Sequence, residues 1–257
     1  MNYIENFCYH MMWDKYDVVW NDMRSDVNIL VGINGKGKTT LLDAIDSYYN
    51  EKFPKTFYAK YGGDRIEATR LDCPVIYIQS SDVPASVKKK GDSVLYNNLM
   101  QVVVQNEKRE SFFNYRMRAL NFPEERPRIE KRIDMLFKEI NKYFAETGKK
   151  IDIDKDSNYL VFHDDDADRP ITLAMLSAGE KQLLLILLTV FLMDEKPAVL
   201  LMDEPELSLH IEWQEKLIKT LRKFNKNCQL IITTHSPSIF ASGWENCLTY
   251  MEDLYAE

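Results

Sequence analysis

One stretch near the N-terminus constrains the fold of this chain more than any other. It reads V-N-I-L-V-G-I-N-G-K-G-K-T-T over Val27 to Thr40, an apolar strand that runs into a glycine-bearing turn and then a helix beginning at Lys38. Gly32, Gly37, Lys38 and Thr39 match the spacing G-x-x-x-x-G-K-[ST] without a mismatch. A glycine-rich turn can match by chance, but here the required strand and helix flank it. The stretch therefore predicts a phosphate-binding loop.

Each residue type in this loop has a chemical reason. Glycines let the backbone fold tightly and bring its N–H groups close to phosphate oxygens. The positive end of the helix dipole points at the same phosphates. Lys38 can reach the β- and γ-phosphates, and the hydroxyl of Thr39 can bind Mg²⁺. The residues predicted to bind the nucleotide here are Gly32, Asn34, Gly35, Lys36, Gly37, Lys38, Thr39 and Thr40.

Polar side chains follow three further apolar segments that read as buried strands. The segment Val199 to Met202 is followed by Asp203 and Glu204. Two adjacent carboxylates after a fully apolar strand would be costly without a cation and a proton-transfer task. Asp203 therefore suits Mg²⁺, directly or through water, and Glu204 suits the water that attacks the γ-phosphate.

The other two segments end near Gln79 and His235. The apolar strand from Pro74 to Gln79 places a polar amide where it can reach a metal-bound water, although a plain strand-end cap competes with this interpretation. A lone histidine after a strand such as Leu230 to Thr233 is usually structural, but His235 follows three other site elements, which favours a γ-phosphate contact. The residues predicted to take part in hydrolysis are Lys38, Gln79, Glu204 and His235, and those predicted to hold the metal are Thr39, Gln79 and Asp203.

A fourth motif, L-S-A-G-E-K-Q over Leu176 to Gln182, precedes an apolar helix from Leu183 to Leu192. Ser177 with Glu180 three residues on fits a capping box, which is the structural interpretation. The small residues that follow Ser177 would also let a phosphate approach the helix start closely. The residues of this motif predicted to contact nucleotide are Ser177, Ala178 and Gly179.

The remaining segments predict elements around this site. Aromatic and β-branched strands over Tyr3 to Phe7 and Tyr16 to Trp20 favour a small antiparallel sheet beside the nucleotide, where Trp13 or Tyr16 could stack on adenine or simply be core or edge aromatics. The other predictions are loop with short elements over Glu51 to Leu71, a helix over Val94 to Leu120, an amphipathic helix over Glu125 to Glu146, and a hairpin of Ile151 to Asp154 with Tyr159 to Phe162 that turns at Asp156 to Asn158.

Composition is consistent with one large domain. The chain has 257 residues, of which 45% are hydrophobic and 28% charged. No apolar run approaches the length needed to cross a bilayer, and Met1 to His10 carries no secretory signal. The four cysteines lie far apart, which favours reduced thiols in the cytoplasm. With a net charge of -7 the chain is not globally built to coat DNA, although a local basic patch stays open.

Strand-end motifs separated by helices predict an α/β fold. We expect a mainly parallel sheet covered by helices on both faces, with the ligand at the C-terminal strand ends. A small N-terminal antiparallel subdomain and an inserted helical lobe complete the predicted fold. The whole chain, 1–257, is predicted to be one ATPase domain, with a nucleotide-binding core over 1–80 and 151–257 and a helical lobe over about 85–150.

Together these motifs resemble those of the ATP-binding cassette superfamily of P-loop ATPases. G-I-N-G-K-G-K-T looks like its Walker A motif, V-L-L-M-D-E-P-E like Walker B, L-S-A-G-E like the signature and T-H-S-P like the switch-histidine loop. The opening I-E-N-F and the runs D-E-P-E-L-S-L-H and T-T-H-S-P-S-I-F are closer to the chromosome-maintenance (SMC), RecF and overcoming-lysogenisation-defect (OLD) branch than to transporters. The signature departs from the transporter form L-S-G-G-Q at Ala178 and Glu180, and Ile211 stands where relatives often have Pro.

The resemblance implies an ATPase with ATP and Mg²⁺ as cofactors that works as a pair of copies. Two chains of this superfamily pair head to tail with two ATP molecules between them. Ser177, Ala178 and Gly179 would then contact the γ-phosphate bound to the other copy, and Leu207 to His210 would lie at the seam. Hydrolysis, which we expect to be slow, would weaken the pairing, so the chain would act as a nucleotide-gated switch or clamp.

The resemblance also implies a separate output. The span from Lys38 to Ser177 leaves room for a compact helical lobe but not a long coiled-coil arm, and the short stretch after His235 leads us to expect no appended nuclease. The chain resembles the compact AAA-family ATPase subunits of bacterial anti-phage systems such as Septu, where a separate effector, often a nuclease, is encoded alongside. A role in anti-phage defence or DNA surveillance follows, with nucleic-acid binding left open.

Two other functions compete with this one. The first is the nucleotide-binding subunit of a membrane transporter, which the signature and the I-E-N-F opening disfavour. The second is a scaffold that holds ATP with very slow turnover. The intact Glu204 and His235 disfavour a complete loss of hydrolysis.

Overall fold

The fold is built on a parallel sheet, in a computed structural model that describes residues 1–50, 65–79, 93–104, 110–154, 159–164 and 170–256. The strands of these segments are β1 (Phe7–Met12), β2 (Tyr16–Trp20), β3 (Val27–Val31), β4 (Ile66–Ala68), β5 (Val75–Ile78), β6 (Lys149–Ile153), β7 (Leu160–Asp164), β8 (Ala198–Asp203), β9 (Cys228–Thr233), β10 (Leu248–Tyr250) and β11 (Tyr255–Ala256). The α-helices are α1 (Lys38–Tyr49), α2 (Val94–Val103), α3 (Phe112–Asn121), α4 (Arg126–Phe144), α5 (Ala178–Leu192) and α6 (Ile211–Phe224).

Five strands form the parallel sheet in the order β10-β3-β9-β8-β5. The register pairs Leu30 with Thr233 and Asp203 with the same Thr233, so the carboxyl ends of β3, β8 and β9 lie level at one edge. Ligands bind at this edge in open α/β sheets. The residues that follow these three strands are the ones that the sequence assigned to the nucleotide.

Both faces of this sheet are buried. Leu200 and Met202 of β8 belong to a core that includes α4, α5 and α6, whereas Val199 and Leu201 belong to a second core with α1 and the antiparallel sheet. Alternate side chains of one strand point to opposite faces, so a fully apolar strand requires cover on both sides. The predicted fold class, a mainly parallel sheet with helices on both faces, is confirmed, and the antiparallel sheet joins α1 on the second face.

The second sheet is antiparallel, with the order β11-β2-β1-β4, as predicted for the N-terminal region. The predicted strand over Tyr3 to Phe7 is wrong in its bounds, because β1 begins only at Phe7. The backbone of Ile4 is paired instead with a side chain: its N–H donates to Oε1 of Gln229 and its carbonyl accepts from Nε2 of the same residue. This non-local pairing replaces a strand ladder.

Helices α2, α3 and α4 lie between β5 and β6 in the chain. The helical character predicted over Val94 to Leu120 is present as two helices, because α2 ends at Val103 and α3 begins at Phe112, with Ser111 as its N-cap. The amphipathic helix predicted over Glu125 to Glu146 is confirmed as α4 followed by a 3-10 turn. The division of the chain into a core and a helical lobe stays a prediction.

The hairpin of β6 and β7 is confirmed. Its predicted turn at Asp156 to Asn158 lies outside the described residues, as does most of the loop predicted over Glu51 to Leu71. The four cysteines are free thiols. Among the described helices, none combines the length and the apolarity needed to span a membrane.

A buried ion network fixes the end of α5 to α3 and α4. Oδ1 of Asp194 lies 2.7 Å from Nη2 of Arg128 and 3.2 Å from Nε of Arg132, and it accepts a hydrogen bond of 3.0 Å from the Tyr115 hydroxyl. The Asp194 side chain is 5% exposed. Burial alone would raise the pKa of this carboxyl, but the hydrogen bonds from Arg128 and Tyr115 and the two arginine charges outweigh it and hold the pKa below its usual value.

We expect Asp194→Asn to lower the free energy of unfolding by about 3 kcal/mol at pH 7, because it removes the buried carboxylate that pairs with Arg128 and Arg132 and leaves Arg132 with the exposed carboxylate of Glu195. Because the pKa of Asp194 is depressed in the folded state, its contribution is present above the unfolded pKa of about 4 and is lost as the pH falls through the folded value. Urea unfolding at several pH values measures this. Asp134→Asn, an exposed carboxylate on α4, is the matched control, and equal stability of the two variants would contradict the prediction.

Candidate nucleotide-binding site

The loop between β3 and α1 has the geometry of an anion cradle. Gly37, the N-cap of α1, adopts a φ of 89°, in the left-handed region that favours glycine. A Cβ at this position would lie 2.7 Å from Cη2 of Trp13, so Gly37 also allows that indole to cover the loop. In the described structure no side chain caps α1 and no acidic residue stands in its first turn. Its backbone N–H groups therefore remain suited to a phosphate.

Lys38 reaches from the start of α1 across this loop. Its Nζ donates to the carbonyl of Gly32 at 2.9 Å and lies 2.7 Å from Nε2 of His235. An ammonium has donors and no acceptor, so in this contact Nε2 of His235 accepts from Lys38. Burial lowers the pKa of Lys38, and the carboxylates of Glu204 and Asp203 partly offset this effect. A phosphate would compete with these two acceptors for the ammonium.

Asp203, at the end of β8, is held from two sides. Its Oδ2 accepts from the hydroxyl of Thr39 at 2.9 Å, and its Oδ1 accepts from the hydroxyl of Thr233 at 2.5 Å. This brings together the hydroxyl and the carboxylate that the sequence predicted as metal ligands. Mg²⁺ is usually bound through one or two carboxylates plus hydroxyl, water and phosphate oxygens. The hydroxyl of Thr39 and the carboxylate of Asp203, which are hydrogen-bonded to each other, are oxygen donors of the kind that fits Mg²⁺.

Glu204 stands beside His235 at the same edge. Its Oε1 lies 3.3 Å from Nε2 of His235, and its backbone N–H donates to the carbonyl of Thr233 at 3.1 Å. Glu204 has a φ of 45°, a value that non-glycine residues adopt mainly where the surroundings enforce it. Burial and the neighbouring charge of Asp203 raise the pKa of its carboxyl, while His235 and Lys38 oppose the shift. A carboxyl with a raised pKa is a stronger base once ionised.

Glu206 is a site residue that sequence reasoning missed. Its Oε1 accepts from the Thr234 hydroxyl at 2.6 Å, from the N–H of His235 at 2.8 Å and from the N–H of Ser236 at 3.3 Å. The run Asp203 to Glu206 contained the signal, since a third carboxylate follows the first two after Pro205. No local pattern indicates that its partners lie after a different strand.

The signature motif begins α5. Ser177 accepts from the N–H of Glu180 at 3.2 Å, and Oε2 of Glu180 accepts from the N–H of Ser177 at 2.8 Å, so the predicted capping box is confirmed. This box explains why the helix begins at Ala178 and not at Leu183. Ser177 and Ala178 are exposed. A Cβ at Gly179 would lie 2.1 Å from the carbonyl oxygen of Ser208, so the glycine allows α5 to pack on the segment that follows β8.

The other predicted residues lie around this edge. Gln79 is exposed and follows β5, whose Ile78 pairs with Met202, so it stands beside the strand that carries Asp203. Trp13, 40% exposed, lies on the phosphate loop, whereas the ring of Tyr16 packs 4.9 Å from that of Tyr255. Trp13 is thus the better placed of the two aromatics for a base, and the assignment stays a prediction.

Comparison with known proteins places the chain in a family. The family model described as "AAA domain, putative AbiEii toxin, Type IV TA system" matches residues 92–241, more than half of the chain. This chain belongs to that family. A "Retron Ec83 probable ATPase" of Escherichia coli is 49% identical over 41 residues, which make up 16% of this chain and 8% of that protein. The matched region is thus a small part of the relative's length.

Two solved structures are similar to this chain. The structure titled "Crystal structure of the SmcHead bound to the C-winged helix domain of ScpA" has a TM-score of 0.56 at 14% identity and covers 93% of this chain and 91% of its own. An SMC head domain from Thermotoga maritima has a TM-score of 0.48 at 17% identity, with 96% and 94% covered. The first likeness concerns the fold and, with the family match, confirms the resemblance to SMC-like P-loop ATPases of the cassette type.

Proposed function

We propose that this chain binds MgATP at the carboxyl edge of its parallel sheet and hydrolyses it. One observation carries the proposal. Lys38, Thr39, Asp203, Glu204 and His235, from three separate segments, form a continuous chain of contacts of 3.3 Å or less, joined through Thr233. Bringing a buried lysine and two adjacent carboxylates to one point without a ligand to bind would be costly.

Each side chain has a task in this reaction. Lys38 binds the β- and γ-phosphates, and Thr39 with Asp203 hold the Mg²⁺ that neutralises the developing charge. Glu204 orients the attacking water and accepts its proton, for which its raised pKa is suited. His235 would contact the γ-phosphate, and Gln79 would lie on the side of the site where Thr39 and Asp203 would hold the metal. This site gives no role to the signature residues Ser177, Ala178 and Gly179, since they stand at the start of a different helix.

We propose that these three residues cap the nucleotide of a second copy. Ser177 and Ala178 are exposed, as a surface that meets another chain requires. Gly179 packs on Ser208, so the signature helix and the segment Leu207 to His210 form one surface. ATP that contacts both copies stabilises only the paired state, and hydrolysis weakens it. The chain is then a switch whose paired form depends on bound ATP.

Mixing two inactive variants tests the shared site. Lys38→Ala removes the phosphate contact in its own loop, and Ser177→Arg blocks the cap that it offers to a partner. A mixed pair contains one intact composite site, because the loop of the Ser177→Arg chain meets the signature of the Lys38→Ala chain. Random pairing at equal amounts makes about half of all pairs mixed, and each mixed pair has one of its two sites intact. We therefore expect about a quarter of the wild-type ATPase rate.

The control mixes Lys38→Ala with Glu204→Gln. Both residues serve the nucleotide of their own chain, so neither site of that mixed pair is intact and we expect no recovery. Recovery in the first mixture and none in the second supports shared sites. Activity in neither mixture, with both variants folded, contradicts them.

We further propose that the switch controls a separate effector in anti-phage defence or DNA surveillance. The description of the family as a putative toxin of a toxin–antitoxin system and the match to a retron ATPase support this role. A nuclease is the effector that we favour, and nucleic acid is a candidate trigger. Pull-down of the Glu204→Gln variant with ATP, compared with the same variant without nucleotide, tests whether a product of a neighbouring gene binds the paired form alone.

A further inference from the structure

The loop that carries His235 is hydrogen-bonded to a single carboxylate oxygen. Three donors from successive residues, the Thr234 hydroxyl and the N–H groups of His235 and Ser236, converge on Oε1 of Glu206. An oxygen that accepts three hydrogen bonds fixes the backbone on both sides of the histidine. The side chain of His235 contacts Lys38 and Glu204 through its Nε2 atom.

Glu206 is buried and incompletely paired. It is 8% exposed, and no donor in the described part of the chain reaches its Oε2, which is also buried. A buried carboxylate that serves only for stability is normally paired on both oxygens. This arrangement indicates a group kept for the position that it gives to its partners and not for its own contribution to folding.

A second contact ties the same loop to α6. The hydroxyl of Ser236 donates to Oε1 of Gln214 at 2.6 Å, and Nε2 of Gln214 donates to the carbonyl of Leu209 at 2.9 Å. The loop after β9 is thus bonded to the segment after β8 at two points. The contact to Glu206 is the stronger of the two, because its acceptor is a buried carboxylate oxygen.

We propose that Glu206 is a positioning residue for hydrolysis, which holds His235 against Lys38 and Glu204 at the γ-phosphate. The proposal rests on the proposed ATPase function and adds the group that sets the histidine. Glu206 does not touch the nucleotide in this assignment. Its loss therefore affects the chemical step, which depends on the placement of His235, more than ATP binding, which depends on the phosphate loop.

Three substitutions separate geometry from charge. Glu206→Ala removes the acceptor, and we expect kcat to fall by about 100-fold while KM for ATP changes by less than about threefold. Glu206→Gln keeps a carbonyl oxygen at the same reach, so we expect kcat within about threefold of wild type. Glu206→Asp keeps the charge but withdraws the oxygens by one methylene group, so we expect a kcat well below that of Glu206→Gln. A higher kcat for Asp than for Gln would overturn the proposal, and this comparison stands even where the Ala variant does not fold.

A double-mutant cycle tests whether Glu206 acts through His235. In a His235→Ala background the histidine is absent, so we expect Glu206→Asp to cause less than a twofold further change in kcat. A purely structural role for Glu206 predicts the same fold-loss in both backgrounds, and that result would overturn the proposal. Glu215→Ala, an exposed carboxylate on α6, is the control for a change of charge, and thermal unfolding of every variant records its folding.

The two proposals fail in different ways. A wild-type chain without ATPase activity, measured with its partner and MgATP, would contradict the ATPase function and Glu206 with it. Hydrolysis by the wild type that is unchanged in Glu206→Ala and Glu206→Asp would contradict the role of Glu206 alone.

Discussion

Glu204→Gln is expected to bind ATP, to stop hydrolysing it and to accumulate as an ATP-held pair of chains. The amide has the shape of the carboxyl but cannot accept a proton from water at neutral pH, and loss of a general base lowers kcat by about 10²–10⁴-fold. The contacts that hold the phosphates, made by the loop from Gly32 to Thr39, are unchanged. ATP that is bound and never split keeps the two copies together by mass action.

The charge balance at the site favours tight binding by this variant. Glu204 raises the pKa of Lys38 through its charge, and its own carboxylate would repel the γ-phosphate. Removing that charge leaves Asp203 as the remaining carboxylate on the metal side. We therefore expect ATP affinity equal to or greater than that of wild type.

Size-exclusion chromatography with MgATP, MgADP and no nucleotide measures the pairing. We expect a larger species for Glu204→Gln only with MgATP. Glu215→Gln, an exposed carboxylate on α6, is the matched control and is expected to behave as wild type. A Glu204→Gln chain that binds ATP and stays monomeric at concentrations far above its ATP dissociation constant would contradict the shared site.

The sequence was informative where local pattern and burial agree. The strand of β3 and the start of α1 at Lys38 follow from an apolar run, two glycines and a helix-compatible segment that are contiguous in the chain. The parallel sheet followed in the same way, because strands such as β8 are apolar on both faces and only a doubly covered sheet buries both. The capping box at Ser177 is a local motif as well, and it was predicted together with its partner Glu180.

Contacts between distant segments could not be predicted from the sequence. The three donors on Glu206 come from the loop after β9, so its role depends on the pairing of β8 with β9 and not on any spacing near Glu206. The strand predicted from Tyr3 was wrong for the same reason, since the side chain of Gln229 forms hydrogen bonds with both the N–H and the carbonyl of Ile4. Likewise, only the packed structure places Trp13 over Gly37. Side chains that form hydrogen bonds with remote backbone groups produce no periodic pattern in the sequence.

Lys38→Ala is expected to lower ATP affinity by about 10- to 100-fold, because it removes a charge-assisted contact to the phosphates that is worth about 1.5–3 kcal/mol. The ammonium lies against the carbonyl of Gly32 and Nε2 of His235, so it is already inside the loop and needs little rearrangement to bind phosphate. Hydrolysis should fall with binding, because the substrate is no longer held.

The comparison of Lys38→Ala with Glu204→Gln separates binding from chemistry. Titration with a fluorescent ATP analogue should show weak binding for the first variant and strong binding for the second, while both are inactive. Lys219→Ala, which removes an exposed lysine of α6, controls for the loss of one positive charge, and we expect it to match wild type. Unchanged ATP affinity in a folded Lys38→Ala chain would contradict the assignment of this loop as the phosphate-binding site. The other assigned contacts would then lose their basis, because each is placed relative to the phosphates that this lysine holds.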